Sequence, residues 1–294
     1  MRVLVTGSRG KVGRHVVAAL GTAGHEVHGT DIVRADYSDW TASYVRADLC
    51  DYGQAIDVVL RSDPDVVVHT AGIPSGQNDP SSTIFATNAV GTFNITEAAA
   101  RVGVRRLVNI SSETVTGFPT ARRPDAPDYF PVDEDHPLRP QEAYALSKSV
   151  GESVCDAAVR RSDLTAVSIR ASFVLASSDY DVVRRMFDAD PAAGHPNGWS
   201  YIDVLDLAAL AVLAAEAATP GHEVVYAAAG DNIIGRPLAE LIALVDWHRV
   251  PELRELGRAD ASGINSAKAE RLFDWRPTRS WRDNAPRIDS GPDS

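Results

Sequence analysis

The sequence predicts an α/β protein, a doubly wound parallel sheet with a small C-terminal lobe, and three observations carry that prediction. Over the first 170 residues, short β-branched runs alternate with amphipathic helical stretches across turns containing Gly or Asp, the alternation that builds a parallel sheet. Several of these runs, Val66-Val67-Val68 among them, are apolar throughout, as strands covered on both faces must be. A chain of 294 residues with 44% hydrophobic content also has the apolar mass for a large core.

Taken in order, strands are predicted over 2–6, 26–30, 44–47, 65–69, 106–110 and 165–170. Helices are predicted over 11–20, 52–61, 82–101 and 141–161, the first closed by Gly21 and Gly24. These make up a nucleotide-binding unit over 1–170. Beyond Arg170 the pattern loosens into a turn-rich stretch over 190–198, an alanine-rich helix near 204–218 and a strand near 223–228. We read 171–282 as a small substrate-binding lobe over the sheet whose chain returns to it, and 283–294, rich in Pro, Gly, Ser and Asp, as a frayed tail.

Lys and Arg number 29 against 40 Asp and Glu, a net charge of −11 that repels phosphate polymers and anionic lipid, so no nucleic-acid or membrane partner is expected. The longest apolar run, 207–215, is far short of the roughly 20 residues that span a bilayer. Met1 leads straight into the first strand with no signal peptide, and the two cysteines, Cys50 and Cys155, form neither a disulfide framework nor a CxxC site. A cytoplasmic protein is the expectation.

Thr6-Gly7-Ser8-Arg9-Gly10-Lys11-Val12-Gly13 places three glycines, spaced GxxGxxG, between the first strand and the first helix. Gly7 permits the tight turn, Gly10 lets backbone approach a pyrophosphate, and Gly13 lets helix pack on strand, with the helix N-terminus facing the phosphates. The second strand ends at Asp31, 18 residues past Gly13, where a carboxylate accepts from ribose hydroxyls and repels a 2′-phosphate. NAD is therefore expected over NADP, with Arg34 nearby as a partial offset.

Tyr144 and Lys148 stand at i and i+4 on one helix face, so the ammonium favours the phenolate and prepares a proton exchange with a substrate hydroxyl. The strand over 106–110 delivers Ser111-Ser112 to its C-terminal end, where open α/β sheets bind ligands and a hydroxyl can hydrogen-bond the reacting oxygen.

Together these residues resemble the extended short-chain dehydrogenase/reductase family, the NAD-dependent sugar epimerase/dehydratase group, from Met1 to about Arg282. The glycine segment is similar to its TGxxGxxG, Asp48-Leu49 to its acidic-apolar pair beside adenine, and His69-Thr70-Ala71-Gly72 to the segment after its fourth strand. Asn88 to Thr92 resembles NxxGT, Ser111 to Gly117 resembles SSxxVYG, and Ser200 to Val204 resembles the YIHV or YVDV element. The resemblance implies a Rossmann domain that binds NAD through Gly7, Ser8, Arg9, Gly10, Lys11, Val12, Gly13, Asp31, Asp48, Leu49, Thr70, Ala71, Gly72, Asn88, Tyr144 and Lys148. It implies that Asn88 supports the site through its helix backbone, Ser112 polarises the reacting oxygen, Tyr144 is the acid/base, and Lys148 lowers the Tyr144 pKa and holds the nicotinamide ribose. It also implies a homodimer through the two long helices in a four-helix bundle.

The chain departs from the nucleotide-sugar members. Phe173 stands where they carry Asn after the sixth strand, Trp199 where they carry a pyrophosphate-binding Arg, and the stretch between the two is short. A smaller sugar-like substrate follows, with the uronate dehydrogenases as precedent. Trp199 and Phe173 read either as lobe core or as a stacking platform. The segment from Ser112 to Tyr144, holding Arg122-Arg123-Pro124, Tyr129-Phe130 and Asp133-Glu134-Asp135-His136, reads as a lid. The acidic cluster with His136 is not expected to hold a metal, because neighbours in a Pro-flanked loop seldom converge on one ion. The alternatives are an NAD-retaining sugar epimerase or a dehydratase, for which Glu113 supplies only one of two usual carboxylates, and, from another class, a non-catalytic dinucleotide sensor.

Overall fold

Seven strands lie side by side in one parallel sheet of order β10-β7-β5-β4-β1-β2-β3 in the computed structural model, which describes residues 1–34, 41–74, 79–121 and 126–284. The first half runs β1 (Arg2–Thr6), α1 (Lys11–Thr22), β2 (Glu26–Asp31), β3 (Ser43–Arg46), α2 (Tyr52–Ser62), β4 (Val66–His69), α3 (Ser81–Val102) and β5 (Arg106–Ser112). There follow β6 (Tyr129–Phe130), α4 (Ala143–Arg161), β7 (Thr165–Ala171), β8 (Val174–Leu175), α5 (Tyr180–Ala189), β9 (Ile202–Asp203) and α6 (Val204–Glu216). The chain ends with β10 (His222–Ala227), α7 (Leu238–Ala243), β11 (Glu252–Leu253) and α8 (Ala267–Phe273). It winds outward from β1 to β3, then returns past β1 through β4 to β10. The strand order thus reverses between β1 and β4, where open α/β sheets bind ligands.

Alternation within the strands explains the layers. Val3, Val5, Val66, Val68 and Val108 point to one face and meet Val16, Val17 and Leu20 of α1 and Leu207, Leu210 and Ala211 of α6. Leu4, Val67 and Leu107 point to the other and meet Ala55, Val58 and Val59 of α2, Ile95 and Ala98 of α3, and Cys155 and Ala158 of α4. Nearly all are fully buried, each large side chain contributing about 1.5–3 kcal/mol.

The predicted strands all form, within one or two residues at each end. The helix predicted from 141 begins at Ala143, because Glu142 stays extended and its carboxylate accepts from the Tyr144 and Ala145 amides at 2.7 and 2.6 Å. The alanine-rich helix and the strand near 223–228, assigned to the lobe from sequence, belong to the main layers. α6 packs on α1, its apolar residues covering the sheet face, while β10 pairs in parallel with β7. Arg106 ties the end of α6 to β5, donating to Ala214 O at 3.2 Å and Thr219 O at 2.8 Å.

The rest of the region after β7 packs around a separate core of Phe118, Phe130, Tyr180, Phe187, Trp199 and Tyr201. Trp199 is fully buried and donates through Nε1 to Pro191 O at 2.7 Å, so it is lobe core; Phe173 is 42% exposed and is not. Arg122-Arg123-Pro124 of the expected lid, and residues 285–294 of the expected tail, lie outside the described residues. His136 packs edge-on against Phe118 and Tyr129, and its Nε2 accepts from the Asp128 amide at 2.9 Å. Among the described residues no group of three or more His, Cys, Asp or Glu is placed to hold a metal, and no helix is long and apolar enough to cross a membrane.

Candidate active site

A cavity of about 330 Å³ opens at the reversal point, outside the carboxyl ends of β1, β2 and β4. Gly7, Arg9 and Gly10 line it from the first turn, Asp31 from the end of β2, Asp48 and Leu49 from the segment after β3, and Thr70, Ala71 and Gly72 from the segment after β4. A Cβ on Gly7, whose φ is +65°, would lie 2.6 Å from the Ala71 backbone, and one on Gly13 would lie 2.0 Å from the Gly7 carbonyl oxygen. Both positions therefore require glycine, and the loop presents bare backbone to the cavity. No side chain caps the N-terminus of α1 at Gly10, which leaves its first amides available to an anion. At the rim the Asp31 carboxylate accepts from the Arg9 amide at 3.0 Å. Thr70 Oγ1 closes the floor by donating to Thr6 O at 2.7 Å.

These residues fit an adenine dinucleotide: the glycine turn would hold its pyrophosphate, Asp31 would accept from its ribose hydroxyls, and the apolar side chains near Asp48 and Leu49 would take its adenine. Ile32 and Val33 also line this end and are about half exposed. The sequence reading passed over them, and two apolar residues directly after Asp31 were the available signal. Cys50 and Thr87, also passed over, line the same cavity.

Three residues assigned to the cofactor turn their side chains elsewhere, and only their backbone remains near the turn. Ser8 is buried against β2 and donates to Thr30 O at 3.2 Å. Lys11 reaches Val174 O at 3.2 Å and the Asp179 carboxylate at 2.8 Å. Val12 packs on the sheet core. The physical reason is helical periodicity, since residues entering the first turn of α1 cannot all face one ligand.

Ser112, Tyr144 and Lys148 converge beyond Gly72. Ser112 ends β5, near enough to Tyr144 to lower its pKa, and its Oγ accepts from Thr114 N and Oγ1 at 3.2 and 3.0 Å. Lys148 Nζ lies 5.8 Å from the Tyr144 ring centroid and donates to Ile110 O at 2.8 Å. The expected depression of the phenol is outweighed: burial pushes Tyr144 up to about 12 against the opposing effect of Ser112, and burial brings Lys148 down to about 8 against the pull of Glu152. Desolvation penalises both charged forms and so opposes the phenolate-ammonium arrangement.

The Asn88 side chain is buried and fully engaged. Its Oδ1 accepts from Ile73 N at 2.7 Å, and its Nδ2 donates to Ile73 O at 2.9 Å and Ser147 Oγ at 3.2 Å, joining the segment after β4 to α4. His69 is fully buried between the Thr6 and Thr92 hydroxyls at 2.7 and 3.0 Å, and burial brings it down to about 3. Glu113 follows Ser112 into the interior, where Asn197 Nδ2 donates to its Oε1 at 3.3 Å and burial pushes the carboxyl up to about 8.

Residues 3–228 match the model of the NAD dependent epimerase/dehydratase family. The chain is similar to a uronate dehydrogenase of Pseudomonas syringae pv. tomato, 29% identical over 79% of this chain and 76% of that protein. It is 34% identical to a UDP-glucose 4-epimerase of Mycolicibacterium smegmatis over 52% of this chain, a match spanning about half of that relative's length. Among solved structures, a short-chain dehydrogenase/reductase superfamily protein from Agrobacterium tumefaciens with bound NAD superposes with a TM-score of 0.71 at 23% identity, covering 96% of this chain and 94% of that one, a likeness of fold. The glycine turn, the Asp31 rim and the Ser112, Tyr144 and Lys148 cluster all lie within the matched residues, and the chain belongs to the NAD-dependent epimerase/dehydratase family.

Proposed function

We propose that this protein is an NAD-dependent dehydrogenase that oxidises a small sugar or sugar acid at a hydroxyl-bearing carbon. The observation that carries the reading is the convergence of Ser112, Tyr144 and Lys148 next to the dinucleotide cavity. When bound, NAD accepts the hydride. Ser112 orients the substrate hydroxyl, the Lys148 ammonium offsets the negative charge that Tyr144 Oη carries once it has released its own proton, and the phenolate so formed takes the proton of the substrate hydroxyl. The uronate dehydrogenase and an L-arabinose 1-dehydrogenase of Haloferax volcanii, 30% identical over 64% of this chain, support the substrate class. Burial of Trp199 in the lobe core supports a site without a nucleotide-holding arm. The test is a panel of uronates and aldoses incubated with NAD and followed by NADH absorbance; no turnover of any member overturns the reading.

The raised Glu113 carboxyl favours a second reading, an epimerase or dehydratase with an additional proton donor beside Tyr144. Such an enzyme regenerates its cofactor each cycle, so the purified protein would keep NAD through dialysis, whereas a dehydrogenase exchanges it. We further propose a homodimer through α3 and α4, supported by Val90, Phe93 and Leu146, apolar residues exposed on these two packed helices. A reducing, cytoplasmic setting is supported by the two free cysteines, Cys50 exposed and Cys155 buried.

A further inference from the structure

Directly behind the proposed catalytic cluster lies a buried ion pair that the proposed mechanism does not use. Glu152 Oε1 accepts from Ser111 Oγ at 2.6 Å and Arg170 Nε at 3.0 Å, and its Oε2 accepts from Arg170 Nη2 at 2.8 Å. Both side chains are nine-tenths buried or more. Arg170 also lies over the Tyr226 ring, 5.3 Å from its centroid, and pairs in register with Ser111 across β5 and β7.

The register of this pair with the catalytic cluster is residue by residue. Tyr144, Lys148 and Glu152 stand at i, i+4 and i+8, three turns of one face of α4. Three consecutive residues at the end of β5 address them: Ser112 lies near Tyr144, the Ile110 carbonyl accepts from Lys148, and Ser111 donates to Glu152. We propose that Glu152, clamped by Arg170 and Ser111, is a positioning residue that holds the Lys148 ammonium against β5 and supplies its counter-charge. The pair acts through Lys148 and touches neither substrate nor cofactor, so this inference rests on the role given to Lys148 above.

The other charged or titratable groups around the cluster are few. Glu142 and Glu113 face Tyr144, His69 faces Lys148, and His222, Cys155, Glu134 and Tyr226 interact with the Glu152–Arg170 pair, with Asp156 beyond His222. Glu152 alone among them opposes the effect of burial on Lys148. Removing its charge leaves Arg170 as a second unpaired cation and lowers the pH at which Lys148 loses its proton. Removing the Arg170 charge leaves the carboxylate unshared and raises that pH.

The chain contains three lysines, Lys11, Lys148 and Lys268, so a protein labelled with 13C at lysine Cε shows three signals, and Lys148→Arg identifies the one at issue. Its pH midpoint is expected to fall by about one unit in Glu152→Gln and to rise in Arg170→Met. The neutral double variant, with neither charge left unpaired, is expected to lie between them. If Arg170→Met does not fold, Glu152→Gln and the double variant decide. A folded Glu152→Gln whose Lys148 midpoint stays in place, or moves upward, overturns the proposal. A purely structural role would lower the melting temperature and leave the midpoint unmoved. No substrate enters this measurement, so it is decided independently of whether any sugar is turned over.

Discussion

Tyr144 and Glu113 show what burial does to single residues beside Ser112. Tyr144 sits at about 12 before any substrate or cofactor charge is counted, so its oxygen is a phenol at neutral pH and acts as a base only after releasing that proton, a step that nearby positive charge favours. Tyr144→Phe deletes one oxygen from a packed site: turnover should fall about 10³-fold with NAD affinity nearly unchanged, measured by NADH formation and by cofactor titration. Glu113 makes a separate prediction for stability. Its folded value of about 8 lies above the ordinary 4.5, so between these limits the unfolded chain releases the proton and the folded protein keeps it. Stability therefore falls as pH rises through this window. Glu113→Gln keeps the shape and removes the slope. Denaturant melts should show the variant gaining about 2–4 kcal/mol over the parent at pH 8 and almost nothing at pH 4.

Among elements, the turn between β1 and α1 has the least freedom. Gly13 packs so closely on Gly7 that a methyl group must push the helix away from the strand. Gly13→Ala should weaken NAD binding at least about tenfold and cost about 1–3 kcal/mol in thermal or denaturant unfolding. α6 depends on a different device. Asp203 caps it by accepting from the Leu205 amide at 2.8 Å and also accepts from Tyr180 Oη at 2.9 Å, which ties the lobe to the main layer. Asp203→Ala should cost about 2 kcal/mol, more than a cap alone, because the buried Tyr180 hydroxyl then loses its acceptor. The pattern of α6 was legible as a helix but not as a member of the main layer. An alanine-rich helix that is apolar nearly all round announces burial without saying against what.

For the whole molecule, the two faces of the sheet are covered by α1, α6 and α8 on one side and α2, α3 and α4 on the other, and the lobe forms its own core beyond the strand ends. The Lys11–Asp179 ion pair bridges them from the glycine turn to the start of α5. The proposed dimer adds a further layer. Replacing Phe93, 49% exposed on α3, with Glu places a charge in that helix face. Sedimentation should show Phe93→Glu as a monomer with an unchanged far-ultraviolet spectrum; a parent protein already monomeric at micromolar concentration would remove the dimer.

Local signals in the chain were enough for the doubly wound sheet, the glycine turn, Asp31 at the end of β2, and the Tyr144 and Lys148 pair. Each depends on short-range periodicity, or on a backbone conformation that one residue type permits. Long-range packing decided the rest. Trp199 read as lobe core or as a platform until the lobe closed around it, and Lys11 was assigned to the cofactor with the rest of the glycine segment, whereas its side chain meets Asp179, far along the chain. Glu152 and Arg170 carried no motif of their own, since a carboxylate on a helix and a guanidinium on a strand become a pair only when β5, β7 and α4 are assembled. Which charges are buried, and therefore the proton affinities of Tyr144, Lys148 and Glu113, follows from desolvation by residues distant in sequence, and that was decided by the tertiary structure alone.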